Sequence, residues 1–152
     1  DTKATKIGHI NADELLQQMP EMAEAQKQLE EYGRQLEKDL TDMEKEFESK
    51  VAQFRTNEKM MTQLARQTKT EELQSLQVRI QDYSQKAQQD LQQKQMELLS
   101  PIIEKATQAV KDVARENNFT YILDSSQSKA VVIFAENGED IMPLVKAKLG
   151  IQ

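Results

Sequence analysis

Between Pro20 and about Gln67, apolar residues recur in steps of threes and fours: Ala25, Leu29, Tyr32, Leu36, Leu40, Met43, Phe47, Val51, Phe54, Met61 and Leu64. That is the spacing of one face of an α-helix. The same positions align every eleven residues, as Ala25/Leu36/Phe47, Leu29/Leu40/Val51 and Tyr32/Met43/Phe54. Eleven residues in three turns lies close to the natural helix period, so the seam stays nearly straight. A second run, from about Glu71 to Asn117, repeats the period as Leu76/Ala87/Leu98/Ala109 and Ile80/Leu91/Ile102/Val113. Two helices with matching stripes pair most simply with each other, and each reaches about 70 Å. Thr68-Lys69-Thr70-Glu71 is a Thr-x-x-Glu capping box and marks the predicted turn. The alternative is one continuous helix of about a hundred residues. Pro101 removes a backbone bond and is expected to kink the second helix near Glu97.

The ends read differently. Lys6-Ile7-Gly8-His9-Ile10 is a short strand, followed by an Asn11-x-x-Glu14 helix start and by Leu15, Leu16 and Met19. Pro20 suits the first position of a new helix, and Glu21 and Glu24 complement its dipole. After Asn117-Asn118, two runs rich in β-branched and aromatic residues, Phe119–Leu123 and Val131–Phe134, predict a β-hairpin. Asn137-Gly138 is a turn, and Asp140 caps a last helix with Ile141, Leu144, Val145 and Leu149 on one side and Gly150 at its end. The predicted class is therefore mainly α with a small β base (α+β). A long antiparallel helical hairpin (residues 21–117) is joined to a β-containing body (residues 1–20 and 118–152). Three short strands leave open edges, which several copies remove by pairing into a small β-barrel, so the body is the expected oligomerisation module.

Composition sharpens this picture. Charged residues are 30% and aromatics 5%, with no tryptophan, so a single chain has little apolar surface to bury beyond its helix pairing. A net charge of -6 argues against general nucleic-acid binding. No cysteine is present, so disulfides and thiolate chemistry are excluded. No apolar run reaches membrane-spanning length.

Catalytic chemistry finds no constellation. His9 is the sole histidine and has no nucleophile or carboxylate placed with it, which makes it structural or solvent-facing. The glycines form no phosphate loop, so no cofactor is expected. Glu37, Asp39, Asp42, Glu44, Glu46 and Glu48 are interleaved with Lys38, Lys45 and Lys50, the pattern of a solvated helix face rather than a cation site. Around the predicted turn, Met60, Met61 and Leu64 either pack the end of the hairpin or remain available for promiscuous apolar binding. Lys59, Arg66 and Lys69 make that stretch locally positive.

Lys6-Ile7-Gly8-His9-Ile10-Asn11 with Leu15-Leu16-Gln17-Gln18 resembles the start of mature members of the Skp or OmpH-like family. Pro101–Ala106, Ala109–Ala114 and Tyr121–Asp124 are similar to that family's C-terminal segment. The resemblance implies an ATP-independent, non-enzymatic chaperone of the bacterial periplasm, with a signal peptide removed ahead of Asp1. It implies a homotrimer whose helical arms enclose unfolded outer-membrane proteins. No nucleic acid and no stable membrane insertion are expected, only transient contact with a membrane surface. On this reading Met60, Met61, Leu64, Lys59, Arg66 and Lys69 bind clients, and Ile7, Ile10, Ile122, Val132 and Phe134 form the oligomer interface. The chain departs from the family's basic arms in being acidic overall. The alternative from another class is a structural or adaptor coiled coil that tethers a folded partner.

Overall fold

The computed structural model describes residues 4–152. The elements are β1 (Ile7–Ile10), α1 (Ala12–Gln18), α2 (Pro20–Asn57), a 3-10 turn (Glu58–Met60), α3 (Gln63–Glu116), β2 (Tyr121–Asp124), β3 (Glu139–Asp140) and α4 (Met142–Leu149). They form two compact units, a body of residues up to Lys27 with Met96–Gln152, and a hairpin unit of Gln28–Gln95. The body takes in more of both long helices than the stripe pattern predicts. Ala25 of α2 and Ile102, Ala106, Ala109 and Val113 of α3 are buried in the body core with Ile10, Leu15, Met19, Ile141 and Val145.

The body sheet has the order β2-β1-β3, with both outer strands parallel to β1. Ile7 pairs with Tyr121 and Ile10 with Asp124, while His9 pairs with Asp140. Parallel pairing follows from chain order, because helices separate β1 from β2 and such crossovers return a strand in the same direction. Gly8 lets the central strand lie close to its cover. A Cβ there would come within 2.9 Å of Ile122 Cδ1 and Phe119 Cε1.

One expectation fails here: Val131–Phe134 is not a strand, and the sheet within one chain is open and three-stranded, not closed on itself. The cause lies at the end of β2. Ser126 N–H donates to Asp124 Oδ1 (2.9 Å), an Asx turn that takes the chain out of the sheet. Ala130 then adopts a left-handed φ of 51°, and the β-branched run continues without a ladder in its own chain.

The same turn caps α1. Ala12 N–H donates to Asp124 Oδ1, Asp13 N–H to Ser126 Oγ (each 3.2 Å) and Glu14 N–H to Asn11 Oδ1 (3.0 Å). Three orphan donors of the first helical turn are thus satisfied, two of them by residues from the far end of the sequence. The expected Asn11 cap is present, while the Glu14 carboxylate accepts from Gln18. α3 runs through Pro101 and ends as expected at the asparagines: Asn118 takes a left-handed φ of 60°, and Phe119 N–H donates to Ala114 O (2.9 Å). Lys6 Nζ donates to Asn117 O (2.8 Å) and lies 4.2 Å from the Phe119 ring centre, placing a cation at the negative end of α3. In α4, Met142 N–H donates to Asp140 Oδ1 (2.9 Å), and Gly150 closes the helix at φ 72°. Ile141 and Val145 are buried, but Leu144 is exposed and does not share their side.

In the hairpin unit the chain reverses between Asn57 and Gln63, so the continuous-helix alternative is set aside and the turn lies earlier than Thr68. Thr68 is inside α3, its hydroxyl bonded to Leu64 O (3.0 Å). The residue that starts α3 is Thr62, whose Oγ1 accepts from Ala65 N–H (3.1 Å). Of the striped positions in this unit, Leu76 is buried and Leu29, Leu36, Leu40, Met43, Phe47, Val51, Phe54, Ile80, Ala87 and Leu91 are half-buried. Leu64, counted in the stripe, is exposed.

Candidate functional site

The reversal at residues 58–62 is built by short-range bonds. Met61 N–H donates to Glu58 O (3.2 Å), and Met61 itself is extended. Thr62 then restarts the helix. This backbone path separates the two adjacent methionines. Met60 stands 92% exposed, whereas Met61 turns inward over a cavity of about 130 Å³ that Phe54, Leu73, Gln53 and Lys50 also line. Leu64, one turn into α3, is 73% exposed. Lys59 and Arg66 are exposed, and Lys69 is held by Glu72 at 3.2 Å. The six residues singled out at the turn therefore divide. Met60, Leu64, Lys59 and Arg66 are open to solvent, Met61 packs the hairpin's end, and Lys69 is paired.

A second exposed apolar surface lies on the body. Ile7 pairs in register with Tyr121 and His9 with Leu123, and Ile7, Tyr121 and Leu123 are all exposed, facing away from the core. The segment beyond β2 adds Val131, Ile133 (96% exposed) and Phe134 (76% exposed). Of the five residues expected at an oligomer interface, Ile7 and Phe134 are exposed and Val132 is half-buried. Ile122 packs against the core from β2, and Ile10 is a fully buried core residue of its own chain, so its side chain is not on this surface. Tyr121, Leu123 and Ile133, which are not among the five, are also exposed. The sequence signal was strand alternation, which puts Tyr121 and Leu123 on the face opposite Ile122 once β2 is placed.

Several charged groups form ion pairs on the surface. Lys105 Nζ donates to Glu21 (2.6 Å), and this bond holds the Glu21 carboxyl below its usual range. Lys148 donates to Glu116, which raises the Lys148 ammonium. Burial alone would raise the Asp124 carboxyl, but the bonds from Ser126 Oγ, Ser126 N–H and Ala12 N–H outweigh it and hold Asp124 low. In the acidic run, Asp42 pairs with Lys38 (3.3 Å) and Glu46 with Lys50 (3.2 Å), as a solvated face does. His9 is half-buried against Gly138, where a Cβ would lie 2.8 Å from its ring. Among the described residues no group of His, Asp or Glu is placed to hold a metal ion, and no helix is long and apolar enough to cross a membrane. What these surfaces offer chemically is apolar contact.

The pattern of the outer membrane protein (OmpH-like) family matches residues 6–149. No curated protein matches the chain. Among solved structures, a candidate outer membrane chaperone (OmpH-like) from Caulobacter crescentus is similar, with a TM-score of 0.82 at 15% identity. The match covers 98% of this chain and 86% of that one, and at this identity it shows the fold.

Proposed function

The chain belongs to the outer membrane protein (OmpH-like) family, and we propose that it is an ATP-independent holdase of the periplasm that keeps unfolded outer-membrane proteins from aggregating. The protein is non-catalytic in this reading. It assembles as a homotrimer through the apolar surface of the body, and its helical hairpins surround the client. The observation that carries the reading is the exposure of Met60 and Leu64 at the turn. A large apolar pair held open by a capped, well-formed turn has no role in the hairpin's own stability. It does suit weak, plastic contact with many unfolded sequences. Several such turns in one assembly multiply weak contacts into useful avidity. Release needs no nucleotide, because a client that is more stable once folded in its membrane leaves by mass action.

The test is suppression of aggregation of a urea-unfolded outer-membrane β-barrel protein on dilution. The wild-type chain is expected to suppress light scattering at near-stoichiometric ratio, and the Met60→Ser/Leu64→Ser variant several-fold less well, with unchanged helicity and mass. A wild-type chain that leaves scattering unchanged but captures one folded protein would instead identify an adaptor coiled coil.

A further inference from the structure

We infer that Met60 is an oxidation site that switches the turn from apolar to polar, a regulation that rests on the proposed client contact. The turn presents two adjacent methionines in opposite environments. Met60 is 92% exposed, and Met61 is turned over the cavity beside Phe54 and Leu73. The side chain of Met60 is therefore open to a small oxidant from the solvent side, while half-buried Met61 offers less access. In the body, Met19 is 2% exposed and closed off altogether. Thioether oxidation follows access, so these three sulfurs are ranked by the fold.

The oxidant class is a peroxide. The Met60 sulfur attacks one peroxide oxygen, the O–O bond breaks and an S–O bond forms. Sulfur is oxidised by two electrons; the hydroxyl it gains gives up its proton to become the sulfoxide oxygen, and the departing hydroxide of hydrogen peroxide takes up that proton and leaves as water. The product sulfoxide is polar and accepts hydrogen bonds, so it no longer offers an apolar side chain to a client. No contact that holds the fold is altered, because Met60 lies outside the core and the turn rests on Met61 N–H, Thr62 Oγ1 and their backbone partners. The change is reversed by a dithiol-driven sulfoxide reductase, which returns the oxygen as water. Met96, also exposed, belongs to the body and serves as an internal control.

The test treats the full chain with hydrogen peroxide and follows each methionine by peptide mass. Met60 is expected to gain oxygen several-fold faster than Met61 and far ahead of Met19. The oxidised wild type is expected to suppress client aggregation several-fold less well at unchanged helicity, and to recover after reductase treatment. Met60→Leu keeps an apolar side chain without sulfur and is expected to protect clients equally before and after peroxide. Equal modification of Met60 and Met61, or loss of protection by peroxide-treated Met60→Leu, overturns the switch. A separate arm addresses the contact itself. Met60→Gln, a polar stand-in that needs no oxidant, is expected to protect less well. Full protection by that variant refutes the client contact at the turn, whichever methionine is oxidised.

Discussion

Tyr83 and Tyr32 occupy mirrored positions in the hairpin unit. Tyr83 Oη of α3 donates to Asp39 of α2 (3.1 Å), and Tyr32 Oη of α2 donates to Asp90 of α3. The two bonds cross in opposite senses and pin the register of the helix pair on both sides of the Leu36 and Ala87 layers. Gly33 lies beneath Leu91, where an added Cβ would stand 3.6 Å from Leu91 Cδ1, and Lys94 sits 5.3 Å from the Tyr32 ring. Removing either hydroxyl as Tyr→Phe is expected to cost about 0.5 kcal/mol, the low end for a hydrogen bond because both lie at the surface. Amide exchange across Gln28–Gln95 should quicken in the double variant, with the body unaffected. Burial first, and then the bond to Asp39, raise the Tyr83 phenol above its ordinary 10.0. Its contribution is therefore complete below pH 10.0 and is lost as pH rises through the folded value. An alkaline melting series on wild type and Tyr83→Phe checks the sign.

Asp124 works in the opposite direction on the pH scale. Its carboxyl is lowered from the ordinary 3.8, so it stabilises the fold above that pH and the stabilisation fades as pH falls through the lower folded value. Asp124→Ala leaves Ala12 N–H, Ser126 N–H and Ser126 Oγ without their shared acceptor. The expected loss is about 1–3 kcal/mol near neutral pH. Because the group is only partly buried, acid titration of the difference should be gradual. A gap between wild type and variant that widens below pH 3.8 would contradict the assignment.

The two threonines near the turn separate the sequence expectation from the fold. Thr62→Ala removes the N-cap of α3 and is expected to cost about 1 kcal/mol, seen as faster exchange in the first turn of α3. Thr68→Ala changes only a hydroxyl bonded within the helix and is expected to fall within about 0.5 kcal/mol of wild type. The reverse ranking would place the turn where the capping box stands.

What the sequence made legible was periodic or local. The stripes from Ala25 to Phe54 and Leu76 to Val113 appear as the inward faces of α2 and α3, because helical spacing is a direct readout of burial. Asn11, Asn118 and Gly150 each end or start a helix as their residue types require. The turn was misplaced because it contains neither Gly nor Pro, and Thr62 is followed by Ala65 rather than by a carboxylate. Val131–Phe134 has strong strand composition yet no ladder in the chain, since one Asx turn at Asp124 overrides the propensity of four residues. The pairing of Ser126 with Asn11 and Asp13 joins the ends of the chain, and no local pattern announces it. At the candidate site, residue type pointed to the methionines, but only the backbone path distinguished Met60 from Met61.

Ile133 and Phe134 allow assembly to be tested without damage to the fold. Both are exposed in the single chain, so Ile133→Glu/Phe134→Glu removes apolar surface without unseating core contacts. The variant is expected to keep its helicity and to fall to monomer mass in light scattering at micromolar concentration. Ile10→Glu, by contrast, buries a charge in the core and should unfold the body. Native mass in the first variant would place assembly elsewhere.

The cations at the turn should set how fast a client arrives rather than how long it stays. Net charge is -6, so no strong positive field draws substrates from a distance. Lys59 and Arg66 are nonetheless exposed beside Met60 and Leu64, and act within a screening length of about 8 Å at physiological ionic strength. Lys59→Gln/Arg66→Gln is expected to slow client capture several-fold at low salt and to leave dissociation unchanged, because encounter responds to charge and residence to packing. At physiological salt the two proteins should behave alike. Lys69→Gln loses an exposed pair with Glu72 that contributes less than about 1 kcal/mol, and should change neither rate appreciably. Stopped-flow capture of a fluorescently labelled, unfolded β-barrel protein across a salt series separates the two rates. If the doubly neutralised protein releases clients faster at every salt concentration, charge rather than apolar contact holds them, and Met60 and Leu64 lose the role assigned to them.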